Sequence, residues 1–107
     1  MAYSVYVIQL ENAVKLLQKF KDANPCMDPE LPALYVGQTA LDPAKRFKQH
    51  KQGTKASRMV RNFGLCLAEL PEVNTPLEEL ETRSDAENGE MMLAGQLRVK
   101  GYGVWSH

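Results

Sequence analysis

The sequence predicts an α+β fold in which short strands alternate with amphipathic helices. Three observations carry that expectation. "YSVYVIQL" and "ALYVGQT" are rich in β-branched and aromatic residues and are bounded by turn formers, as strands are. Two longer segments repeat apolar residues at helical spacing. The chain of 107 residues suits a single domain over 1–107, able to bury roughly two-thirds of its unfolded surface.

Each element has its own justification. In residues 3–10 the two-residue period puts Ser4, Tyr6, Ile8 and Leu10 on one face and Tyr3, Val5, Val7 and Gln9 on the other. Ala13, Leu16, Leu17 and Phe20 then predict a helix over 12–23. "NPCMDPELP" ends it, because its three prolines support neither helix nor central strand. The second strand is 33–39, and Gly37 inside it marks a bulge or a close approach to the backbone. "DPAKRFKQHKQG" opens with an N-cap Asp42 and a first-turn Pro43 and closes on Gly53, which predicts a helix over 43–52. Arg46 and His50, four apart, share one face of it. A short helix over 55–63 and a third strand at 65–70 follow, with Cys66 expected in the core. Residues 71–84 read as an acidic connection. Ser84 and Glu87 form a capping box for a final helix that runs to about Lys100 and stops at Gly101. "GYGVW" is either a short strand or an extended tail.

That last helix contains an anomaly. Ala86, Glu90, Leu93 and Leu97 are spaced by four, three and four, so Glu90 lies on the apolar stripe. A carboxylate there needs a Lys, an Arg or a metal ion, unless it sits at the rim of the core.

Composition narrows the function classes. No apolar run approaches the ~18 residues of a membrane span, and the N-terminus reads as a strand and not as a signal peptide. Cys26 and Cys66 make no disulfide framework, so a cytoplasmic, reducing compartment is expected. Two Cys and two His lack zinc spacing, and no glycine-rich phosphate loop is present. Formal net charge is zero, yet Ala44–Arg61 holds seven Lys or Arg and no acid, whereas Glu69–Glu90 holds eight acids and one Arg. Such a one-sided stretch attracts a polyanion locally even on a neutral chain.

Taken in order, "SVY" at 4–6, "YVG" at 35–37, the "KRFKQH" helix and "AENGEMM" resemble the GIY-YIG nuclease superfamily over residues 3–105. The resemblance implies a small three-stranded antiparallel sheet flanked by helices, with 11–32 inserted between the first two strands. It implies a metal-dependent DNA endonuclease whose catalytic residues are Tyr6, Tyr35, Arg46, His50 and Glu90. Glu90 would hold Mg²⁺ or Mn²⁺, Arg46 would clamp the scissile phosphate, and Tyr6 would take a proton from water. For that role the phenol pKa must fall, unless His50 is the primary base and Tyr6 a relay. Lys45, Lys48, Lys51, Lys55, Arg58 and Arg61 become candidate contacts to the nucleic-acid backbone. The departures are Ser4 for the first glycine, a spacer of 28 residues between Tyr6 and Tyr35, Gln38 where some members carry a lysine, and no asparagine after Asn88. A nucleic-acid partner is expected, DNA in the first instance, and no membrane; a double-strand break would require a dimer or two visits. Two rival readings are a catalytically inactive nucleic-acid-binding module of the same fold and a protein-interaction domain using the acidic 69–90 stretch.

Overall fold

A computed structural model of the chain describes residues 3–40, 42–52, 58–68 and 80–106. Strand β1 (Ser4–Leu10) is followed by a 3₁₀ segment (Asn12–Leu16) and helix α1 (Gln18–Ala23). Then come β2 (Ala33–Thr39), α2 (Pro43–Gln52), α3 (Arg58–Phe63) and β3 (Gly64–Leu67), and finally α4 (Arg83–Val99) and β4 (Gly103–Ser106). The class is α+β, as expected, but the sheet is neither three-stranded nor purely antiparallel. Its order is β3-β1-β2-β4, with β1 antiparallel to both β2 and β3 and with β4 parallel to β2.

The fourth strand has a physical cause. Apart from a half-buried Gln38, every residue of β2 is buried, so a bare second edge would strand its peptide groups. Helix α4 returns the chain to that edge through a turn at Gly101, whose φ of 101° is a left-handed conformation open to glycine. The amides of Gly101 and Tyr102 bond the carbonyls of Arg98 and Leu97, a Schellman ending. The far edge of β4 is finished by a side chain. Asn24 Nδ2 donates to Val104 O at 2.9 Å, and Asn24 Oδ1 accepts from Val104 N at 2.8 Å. The Asn24 amide thus pairs with β4 as another strand would. Asn24→Ala takes that partner from the buried Val104 amide, while Val104 O keeps Arg98 Nη2 as a donor at 3.0 Å, and we expect it to destabilise the fold by about 1–3 kcal/mol, read as a lower urea midpoint.

Both faces of the sheet are covered. Tyr6, Ile8, Leu10 and Tyr35 pack with Val14, Phe20, Met59 and Val60 on one side. Val5, Val7, Leu34 and Val36 pack beneath Leu93, Ala94 and Leu97 of α4 on the other. The alternation along β1 and the stripe along α4 are therefore as the sequence indicates.

Three local expectations need correction. The 12–23 segment is not one helix: Leu17, at φ −74° and ψ 130°, separates a 3₁₀ turn from α1. The inward residues are Val14, Leu17 and Phe20, three apart, while Leu16 is left exposed. Helix α4 starts earlier than Ser84, because Thr82 caps it with Oγ1 accepting from Asp85 N at 3.0 Å. Cys66 is exposed on edge strand β3, not in the core. The 71–79 connection, residues 53–57 and the end of the third strand prediction at 69–70 lie outside the described residues.

Candidate active site

The β1–β2 register sets Tyr6 opposite Gly37 and Tyr35 opposite Ile8, so both phenols leave the same face of the sheet. Their ring centroids are 6.3 Å apart. The Tyr6 ring crosses Gly37 so closely that a Cβ there would stand 2.6 Å from Tyr6 Oη. Gly37 therefore marks a close approach, and the β1–β2 pairing runs through it without a bulge. Behind the phenols lies His50, in the last turn of α2 and only 1% exposed. Its Nε2 is 2.8 Å from Tyr6 Oη, and its ring meets the Tyr35 ring edge-on at 72°. One turn earlier on α2, Arg46 hydrogen-bonds the Tyr6 phenol, and its Nη1 also donates to Gln49 Oε1 at 3.1 Å.

Proton counting orders these contacts. A guanidinium only donates, so Tyr6 Oη is the acceptor toward Arg46. The phenol has one proton of its own, and His50 Nε2 is the acceptor in line for it. That direction belongs to the tautomer with the ring proton on Nδ1, which leaves Nε2 to accept. The acidity of Tyr6 runs against the lowered phenol pKa that a Tyr6 base requires. Burial, and next the neighbouring Tyr35, push its pKa far above the ordinary 10; Arg46 opposes the rise without cancelling it, and Glu90 adds to it. Tyr6 is a neutral phenol in the free protein, not an activated phenolate.

The phenols open onto a cleft at one end of the sheet. Strand β4 pairs with β2 only from Ala33 to Val36, so Gly37–Thr39 extend past it. At this end, groups from both faces of the sheet meet in a cleft of about 310 Å³. Tyr6, Tyr35 and Arg46 line it from one face, and Glu90 of α4 and Gln38 of β2 from the other. Glu90 is 5% exposed, the buried acidic side chain that the helical spacing indicates. His50 does not line the cleft; Tyr6 stands between it and the opening.

Three further lining residues were not among the site residues that the sequence suggests: Arg83, Glu87 and Met91. A signal for two of them existed, since 83, 87 and 90 are spaced by four and three and share one helical stripe. Glu87 does not serve a capping box with Ser84; it pairs with Arg83 at 3.3 Å.

The donor set restricts which ion would fit. Among the described residues no group of three or more His, Cys, Asp or Glu converges. The cleft instead offers the carboxylates of Glu90 and Glu87. Such a donor set would suit a hard ion such as Mg²⁺ or Mn²⁺, which binds through one or two carboxylates and keeps several waters, and does not fit a protein-only zinc cage.

The described basic candidates fall on two neighbouring elements, α2 and α3. Lys45 and Lys48 are exposed on α2, and Arg58 and Arg61 are exposed on α3. Lys51 has a structural task, its Nζ donating to the carbonyls of Arg61 at 3.2 Å and Gly64 at 3.0 Å. Lys55 lies outside the described residues. No helix among the described residues is long and apolar enough to cross a membrane. No protein-family model matches the chain, and neither a curated protein nor a solved structure matches it.

Proposed function

We propose that this protein is a metal-dependent endonuclease of the GIY-YIG type, hydrolysing phosphodiester bonds in DNA. The observation that carries the reading is the meeting of Tyr6, Arg46 and Glu90, drawn from three distant parts of the chain, in one cleft with His50 bonded behind the phenol. Phosphodiester hydrolysis needs a proton acceptor for water and cationic groups over the oxygens where charge builds. Arg46 forks onto the non-bridging oxygens and holds the phosphorus in line. Water gives its proton to Tyr6 Oη as the phenol passes its own to His50 Nε2, and the oxygen so freed attacks phosphorus. This relay suits a neutral phenol, because no phenolate need exist before substrate arrives. Glu90 and Glu87, both in the cleft lining, would hold the divalent ion, which would supply Lewis acidity toward the phosphate when bound.

The test is nicking of supercoiled plasmid by pure protein, with Mg²⁺ and with chelator. Nicking is expected to vanish with chelator and to fall at least about a hundredfold in Glu90→Ala and in Arg46→Ala. Activity that persists in Glu90→Ala overturns the proposal. Salt-sensitive DNA binding with no cleavage in any divalent metal would replace the hydrolase by a binding module.

A further inference from the structure

We infer that Arg83 is a second phosphate-binding arginine, held in the free protein by Glu87 and transferred on binding to a backbone phosphate beside the scissile one. The inference rests on the nuclease reading and names a substrate: a strand with at least one phosphate flanking the bond to be cut.

The cleft brings together two guanidinium groups from opposite faces of the sheet. Arg46 comes from α2 and Arg83 from the first turn of α4, and both line the same opening. Gln38, also in the lining, adds no charge. Arg46 and Arg83 are offset by Glu87 and Glu90, so the four charged residues of the lining sum to zero. A cleft so balanced attracts a polyanion weakly unless one of the acids is neutralised or displaced.

Arg83 is poorly placed for a purely structural task. It is the first helical residue of α4, where the helix macrodipole disfavours a cation. Its partner lies four residues toward the C-terminus, the less favourable order for a helical ion pair. The contact is 3.3 Å, longer than a strong charge-assisted bond, and the two side chains are 73% and 55% exposed. Water and salt screen such a pair, so a phosphate displaces Glu87 at little cost. A phosphate also matches the planar guanidinium fork as well as a carboxylate does. Glu87 thereby keeps the second cation in place and turned toward the opening until the strand arrives. Once released, Glu87 is free to stand beside Glu90 at the metal.

The experiment measures binding and needs no turnover. Anisotropy of a labelled duplex is followed in chelator across a salt series for the wild type, Arg83→Ala, Arg83→Lys, Glu87→Gln, Arg46→Ala and the double variant Arg83→Ala/Glu87→Gln. Arg83→Ala should weaken binding roughly three- to tenfold and lower the log–log salt slope by about 0.9, one phosphate contact. Arg83→Lys should keep the slope. Glu87→Gln should tighten binding roughly twofold to threefold, a gain that disappears in the double variant because it acts through Arg83. An Arg83→Ala protein with wild-type affinity and slope overturns the inference, as does a Glu87→Gln gain that survives intact without Arg83. If Arg46→Ala weakens binding and Arg83→Ala does not, the inference fails and the nuclease reading stands. If the wild-type protein does not bind the duplex at low salt, both fall.

Discussion

Tyr6→Phe is expected to lower the rate of DNA nicking by about a thousandfold, the middle of the range for losing a positioned proton-transfer group. The ring stays, so the cleft keeps its shape; what goes is the oxygen that joins Arg46 to His50. Removing the acceptor at the other end should have nearly the same effect, because neither partner moves a proton without the other. His50→Gln is therefore expected to match Tyr6→Phe, and the double variant to be little slower than either single one. Losses that multiply in the double variant would mean that the two residues act separately, and the relay would be wrong. The phenol also sets a stability signature. Its pKa is raised in the folded protein, above the ordinary 10 of an exposed tyrosine, so above that pH the folded chain keeps a proton that the unfolded chain releases. Stability then falls as pH rises through the alkaline range and is full below it. Tyr6→Phe should flatten this alkaline decline while lowering neutral-pH stability by about 1–2 kcal/mol, because His50 and Arg46 lose a buried partner. Denaturation midpoints measured from neutral to strongly alkaline pH check both signs.

What the sequence made legible was local and periodic. The faces of β1 and the stripe Ala86, Glu90, Leu93, Leu97 follow from periods of 2 and 3.6 that the core enforces. Asp42 and Pro43 likewise fixed the start of α2, where the Ala44 amide donates to Asp42 Oδ1 at 3.1 Å. The misreadings are of two kinds. Between 12 and 23, Leu16 and Leu17 fit a helical period as well as Val14 and Phe20 fit a three-residue one, and only packing against the sheet decides. The other failures were non-local. Four residues of β4 contain too little pattern to decide between a short strand and an extended tail or to name a sheet neighbour, and the side chain on their outer edge is Asn24, 80 positions away. The acidity of Tyr6 depends on how deeply the fold buries it, which no spacing reveals. Arg83 and Glu87 were hidden by their setting, an acidic stretch that reads as a solvated face.

Gly37→Ala should be nearly as damaging to cleavage as loss of the phenol, although it changes no functional group. The added methyl would lie 2.6 Å from Tyr6 Oη, 2.7 Å from Tyr6 Cζ and 3.0 Å from Tyr35 Cε1. These neighbours are rigid rings and not the ends of flexible chains. Tyr35 is packed edge-on against His50, so the displaced group is the Tyr6 ring. A shift of a few tenths of an ångström lengthens the 2.8 Å bond to His50 and moves the oxygen out of line with Arg46. Overpacking of this kind costs about 1–3 kcal/mol of stability, and the proton relay loses its alignment at the same time. The expected result is a cleavage rate reduced by about a hundredfold or more, with duplex binding in chelator within about twofold of wild type, since the phosphate-facing cations are unchanged. The decisive comparison is Gly37→Ala placed in the Tyr6→Phe background. If the methyl acts by displacing the phenol oxygen, it slows that protein no further. A second full loss of rate would show that Gly37 serves the site by another route, and the close approach of Tyr6 would be a packing feature only.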